Sequence, residues 1–227
     1  AAAEAVFSQP LHDVAEAVVR AMRDGKSGAP VVLVDVQDNP GAGGTSDTTG
    51  LLRGLVDGGA REAVLGLLWD PDLAAKSHAA GIGGEFETRI GSRYGYDPEP
   101  FVARVRVESL SDGVFTCHGA ILADVTVDLG AMALLRIVDE RADVCVAVCS
   151  IRYQCLDQGL LRAVGVEPVE KAIVALKSTV HFRADFDPVA GEILLVEAPG
   201  ANFCRAEKVN YKTLRPGVRL GPGIPAN

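Results

Sequence analysis

Residues 31–47 read Val-Val-Leu-Val-Asp-Val-Gln-Asp-Asn-Pro-Gly-Ala-Gly-Gly-Thr-Ser-Asp, a buried-type apolar run that breaks into an acidic, glycine-rich turn. Val31 to Val34 is too short an apolar run for a helix, and the turn formers on both sides mark it as a strand covered on both faces. It ends in acid, at Asp35 and Asp38. The turn carries little side-chain bulk, and Thr45, Ser46 or Asp47 is placed to cap a helix bearing Leu51, Leu52, Leu55 and Val56. Gly58-Gly59 stops that helix, and Ala63 to Leu68 is a second continuous apolar run. Strand, helix and strand in this order predict a right-handed crossover between parallel strands, and hence an α/β fold with a largely parallel sheet flanked by helices.

Working outward, Leu11, Val14, Ala15, Val18, Val19 and Met22 recur at helical spacing behind Ser8 and Pro10, with Gly25 and Gly28 at the end. They predict a leading helix within residues 1–28. The main domain is expected over 29–215, followed by a Gly/Pro-rich tail over 216–227. Asp70-Pro71 reads as a cap and first-turn proline for a short helix ending near Gly81. Residues 82–143 then change character: Phe101 to Val107 alternates, and glycines punctuate short segments, which predicts an inserted antiparallel β-rich segment or lobe. Val144 to Val148 restores the buried-strand pattern, a helix follows around Leu160 to Val164, and Ile173 to Leu176 and Ile193 to Val196 supply two further strands.

The net charge of -8, without a block of lysine or arginine, argues against nucleic acid as a partner. No apolar stretch is long enough to span a bilayer, and the first residues lack the basic start of a signal peptide, so no membrane partner and a cytoplasmic location are expected. The five cysteines form no C-x-x-C pair and are expected to be reduced thiols.

Three stretches carry candidate chemistry. In the glycine loop, backbone N–H groups and a helix N-terminus converge, which suits either a bound anion or a tight structural turn. Asp38, Asn39, Gly41, Gly43 and Gly44 lie there, at the carboxyl end of a central strand where ligands of open α/β sheets sit. No Gly-Lys-Ser/Thr follows, so this is not a P-loop. The second stretch, Lys177 to Ala184, leaves a strand end; if extended, Lys177, Thr179, His181 and Arg183 share one face suited to a carboxylate or oxyanion. The third, Arg152-Tyr153-Gln154, opens onto the same edge as either a polar strand terminus or part of a site, with Gln154 a candidate for substrate contact. His12, His78 and His118 read as surface residues, and no zincin or serine-hydrolase signature is present.

Residues 31–47, Trp69-Asp70-Pro71, Gln154-Cys155-Leu156-Asp157, Lys177 to Phe186 (KSTVHFRADF) and Ala198-Pro199-Gly200 together resemble, in order and over roughly residues 29–200, the C-terminal domain of the microcystinase C (MlrC-like) family, described as zinc metallopeptidases. The resemblance implies a two-part enzyme whose separate N-terminal domain holds zinc through Asp and His ligands and hydrolyses a peptide or amide bond. No position here matches that ligand set, so no metal residue and no cofactor is expected in this chain, and zinc belongs to the complete family enzyme. The implied partners are that N-terminal domain and a peptide or amide substrate. Asp38 and His181 are then the catalytic candidates, and Asn39, Gly41, Gly43, Gly44, Lys177, Arg183 and Gln154 the substrate-binding ones. Two other readings stay open: a non-catalytic domain binding small anions at the glycine loop, and a structural or homo-oligomerising domain. The shared-site expectation requires the 38–47 turn and the 177–183 segment to meet across one crevice.

Overall fold

The computed structural model describes residues 9–221. Ser8, expected to open the first helix, lies outside them, as does the end of the tail. The chain begins with a short strand, β1 (Leu11–Asp13), and Asp13 caps the helix that follows, α1 (Val14–Asp24), by accepting the Glu16 N–H at 2.8 Å. Leu11 is therefore a strand residue, and the buried stripe of α1 is Ala17, Val18 and Ala21. Val19 and Met22 are 68% and 43% exposed, contrary to the expected stripe. The cause is the start point: pairing of Leu11 with Leu195 in the sheet makes the chain turn at Asp13, which resets the helical phase. His12, expected at the surface, is consequently buried.

The remaining strands are β2 (Val31–Asp35), β3 (Ala63–Trp69), β4 (Glu85–Ile90), β5 (Phe101–Ser111), β6 (Val114–Thr116), β7 (Thr126–Asp128), β8 (Met132–Ile137), β9 (Val144–Cys149), β10 (Ile173–Lys177) and β11 (Glu192–Glu197). Nine of the eleven form one sheet, ordered β1-β11-β2-β10-β3-β9-β8-β5-β4. From β1 to β9 neighbours are parallel; from β9 to β4 they are antiparallel. The fold is thus α/β with a mixed, largely parallel sheet. The antiparallel segment of the middle continues the main sheet through β8, β5 and β4, while β6 and β7 pair apart as a hairpin. The strands β2 and β3 are parallel, but β10 lies between them, hydrogen-bonded to both.

The continuous apolar runs follow from burial on two faces. Leu33, Leu65, Val146 and Ala175 face one core with Leu51 and Leu55 of α2 (Gly50–Asp57) and Val18 of α1. Val32, Val34, Val64 and Leu176 face another with Leu160 and Leu161 of α4 (Gly159–Arg162) and Phe182 and Phe186. Asp70 caps α3 (Pro71–Ala80) by accepting the Leu73 N–H at 3.1 Å, as its sequence indicates. All the parallel strands end on the same edge, so the loops after β2, β3, β9, β10 and β11 gather there.

Candidate functional site

The register of β2 against β10 sets Lys177 opposite Asp35. The Lys177 ammonium is 1% exposed and donates to Asp38 Oδ2 at 2.8 Å, Asp35 Oδ2 at 3.1 Å and Thr48 Oγ1 at 3.1 Å. Asp38 is filled from its other sides: Oδ1 accepts the Ser46 N–H (2.7 Å) and the Thr45 hydroxyl (3.0 Å), and Oδ2 accepts the Thr48 hydroxyl (2.8 Å) and N–H (2.9 Å). Burial alone disfavours the Asp38 carboxylate, but Lys177 and the Thr48 donors outweigh it and hold its pKa below the usual value. Burial pushes Asp35 up, with the Lys177 charge opposing and the Asp38 charge reinforcing the rise. Burial likewise works against the charged Lys177, and the two carboxylates overcome it, so its pKa is raised. One cation held between two buried acids makes a buried clamp.

The clamp redefines the glycine loop. The Gly41 N–H goes to Asn39 Oδ1, those of Ala42 and Gly44 to Asn39 O, and that of Gly43 to Pro40 O. Ser46 and Thr48 donate to Asp38, and Thr49, preceding α2, donates to the Asp97 carboxylate at 2.6 Å. The glycine N–H groups are thus taken within the loop, and the next backbone donors, Ser46 and Thr48, are taken by the protein's own Asp38 carboxylate. Thr45, Ser46 and Asp47 do not cap α2; Thr45 and Ser46 serve Asp38, and Asp47 accepts the Arg93 N–H at 2.6 Å. Asp38, foreseen as catalytic, has both oxygens committed and no face toward solvent, so its geometry is that of an anchor.

The glycines make close approach possible. A Cβ on Gly41 would stand 2.3 Å from Gln154 Oε1, and one on Gly44 would stand 2.6 Å from the Asn39 backbone nitrogen. Gly43 turns the chain at φ 93°, in the left-handed region.

The loop and the segment after β10 do meet. Asn39 Nδ2 donates to Thr179 Oγ1 at 2.7 Å, and Gln154, arriving from β9, donates from Nε2 to Ser178 Oγ at 2.8 Å. With its amide oriented by Ser178, Gln154 presents Oε1 to His181 Nδ1 at 3.3 Å. With Gln154 Oε1 as the acceptor, His181 Nδ1 is the donor of that pair, and the His181 side chain is exposed. The segment is not extended, however. It turns after Lys177 and enters α5 (Arg183–Phe186), because Phe182 and Phe186 are drawn into the second core. Lys177 therefore points inward while His181 points out, and Arg183 pairs with Asp187 at 3.4 Å and Gln9 at 3.3 Å, away from the loop. The four residues do not share a face. Thr48, Ser178 and Thr179 complete the arrangement; their types are ordinary for loops, and only the tertiary partners distinguish them.

Among the described residues no three His, Cys, Asp or Glu side chains gather to hold a metal ion, and the buried Asp35 and Asp38 are paired with Lys177. Among the described residues no helix is long and apolar enough to cross a membrane.

Fold and edge together define an α/β domain with a polar, clamped site on the carboxyl edge of its parallel strands. The chain belongs to the MlrC C-terminus family, whose model matches residues 33–213, and the resemblance carried by the motifs is thereby confirmed. It is 31% identical over 168 residues to Microcystinase C of Sphingomonas sp., covering 74% of this chain and 32% of that protein. The chain thus spans about a third of the length of that curated relative. The crystal structure named "Putative metallopeptidase from Mesorhizobium sp. BNC1" shares the fold at a TM-score of 0.78 and 22% identity, covering 95% of this chain and 42% of that one.

Proposed function

We propose that this chain is the substrate-facing domain of a peptidase or amidohydrolase whose metal-binding half lies in the part of the longer family proteins that this chain does not span. The observation that carries the reading is the exposed His181 ring, oriented through Gln154 and Ser178 at the edge where the clamped 38–47 loop also ends. Family membership and the partial coverage of Microcystinase C support it. In this reading His181 Nε2 accepts a proton or hydrogen bond from the substrate amide or the leaving group, and Gln154 holds the ring in the required tautomer. Asn39 and Thr179 fix the loop wall beside it, and the Lys177, Asp35 and Asp38 clamp keeps the two walls in register. The metal chemistry belongs to the other half, and no residue of this chain is assigned to it.

The alternative of a small-anion site at the glycine loop is disfavoured by the commitment of the Gly41 to Gly44 N–H groups within the loop itself.

In the complete two-part enzyme, His181→Ala is expected to lower kcat about 100-fold, the lower end of what a positioned acid or base contributes. Gln154→Ala is expected to lower it less. Zinc content, measured by atomic emission, should stay at the wild-type level in both. Wild-type turnover in both variants would refute the role.

A further inference from the structure

Another group of side chains sits on the same edge and takes no part in the clamp. Trp69, the last residue of β3, pairs in register with Cys149 and donates its indole N–H to Ser150 O at 3.0 Å. Tyr94, in the loop between β4 and β5, stacks on it with ring centroids 6.0 Å apart and planes inclined by 18°. The Arg152 guanidinium lies 4.2 Å from the Trp69 ring centroid and 5.5 Å from that of Tyr94, and donates to the Tyr94 hydroxyl at 3.3 Å.

Two arginines face this tryptophan, and they differ in one respect. Arg93, 5.6 Å from the ring, is neutralised by Asp70 and Asp72. Arg152 makes no ion pair among the described residues, although the protein carries 30 acidic residues against 22 lysines and arginines. Its position is exposed, so burial of the side chain does not explain the stacking. Stacking on two rings fixes a planar fork of N–H donors, and only one of its hydrogen bonds is taken among the described residues. A fixed, unpaired guanidinium fork on an aromatic base has already lost much of the rotamer freedom that carboxylate recognition would otherwise cost, and it matches a carboxylate in two parallel hydrogen bonds. Gln154, which orients His181, lies two positions along the chain from Arg152.

We propose that Arg152, held on the Trp69 and Tyr94 rings, is a carboxylate-binding subsite that selects substrates with a free carboxylate beside the bond handled at His181. The inference rests on reading this edge as the substrate cleft. It adds a substrate class: acidic peptides, or peptides with a free C-terminus, recognised by guanidinium fork and aromatic platform together.

Trp69 is the only tryptophan in the chain, so its fluorescence reports on the subsite without any assay of turnover. Titration of the 227-residue chain with N-acetylphenylalanine is expected to give a saturable change, and N-acetylphenylalaninamide, lacking the charge, to bind at least about tenfold more weakly. Arg152→Gln should weaken the carboxylate probe by a similar factor, and Arg152→Lys by less. Arg61→Gln, at the amino end of β3 with a single bond to Glu140 O, should leave the affinity unchanged. Circular dichroism of each variant verifies that it is folded. Equal affinity for acid and amide, an unaffected Arg152→Gln, or no saturable response at about 50 mM probe, some fifty times a millimolar affinity, would each overturn the proposal. The two readings fail separately: loss of carboxylate binding leaves the His181 turnover test standing, and wild-type turnover in His181→Ala leaves the carboxylate site standing without the peptidase role.

Discussion

Lys177→Met is expected to destabilise the protein by about 3–5 kcal/mol, the range found when one partner of a buried ion pair is removed. Methionine keeps the apolar stem, one atom shorter, but leaves Asp35 and Asp38, both fully buried, without the ammonium that touches each of them. For a chain of this size the loss corresponds to a fall in Tm of roughly 10 °C. Its pH dependence separates an electrostatic cause from a packing defect. Asp38 has a depressed folded pKa, so its stabilisation is present above the unfolded value of about 3.9 and is lost as pH falls through the folded value. Lys177 has a raised folded pKa, so its stabilisation is present below about 10.4 and is lost as pH rises through the folded value. Asp35, raised, has the carboxylate sign reversed: holding its proton favours the fold at low pH, and that contribution is lost as pH rises. Without the lysine, both acids take up protons more readily, and their penalty fades as they do. The stability gap between wild type and variant in urea should therefore be wide at neutral pH and narrower near pH 4.5. A gap of equal size at both pH values would point to packing and against the clamp.

Asp38→Asn is expected to cost about 2–3 kcal/mol while leaving the overall fold intact, from the value of hydrogen bonds to a charged group and the penalty of stranding buried donors. If the amide oxygen stays with Thr45 and Ser46, the new NH2 group faces the Lys177 ammonium and the Thr48 donors, so donors oppose donors. Flipping the amide moves the same conflict to the other side. Local opening of the 38–47 loop should follow, read as faster hydrogen exchange at the Ser46 and Thr48 amides with β10 still protected. Unchanged exchange at both amides would show that Asp38 does not organise the loop. The variant also bears on the role first expected of this residue: an anchor affects the loop's order, whereas a catalytic base would leave loop and stability largely as they were.

The parallel strands were readable in advance because a strand buried on both faces has to be apolar at consecutive positions, and Val31 to Val34, Ala63 to Leu68 and Val144 to Val148 are. Asp70-Pro71 was readable because a cap is a local device. Strand order was not, since nothing in β10 itself says that it inserts between β2 and β3. The phase of α1 is not local, because Leu11 belongs to a strand whose partner, β11, lies far along the chain. In the candidate site, the carboxyl edge and the meeting of the two segments follow from the α/β pattern. The roles within it do not. Lys177 reads as the polar end of a strand, and its burial depends on two aspartates some 140 residues away in sequence. The glycine loop looks open to an anion until its N–H groups are seen to be taken by Asn39, Pro40 and Asp38, and the extended reading of 177–183 fails because Phe182 and Phe186 seek the second core. The stretch around Arg152 is placed on this edge by its strand, but nothing local says what holds the side chain: its rings come from β3 and from the loop after β4.

The candidate site depends on one joint, where the loop after β2 and the end of β10 are fastened through buried charge. A double-mutant cycle on Lys177→Met and Asp38→Asn, read from urea unfolding at neutral pH, measures that joint directly. A coupling of at least about 2 kcal/mol is predicted, with the double variant much less destabilised than the two single losses added together. Additivity to within about 0.5 kcal/mol, the behaviour of independent sites, would contradict it.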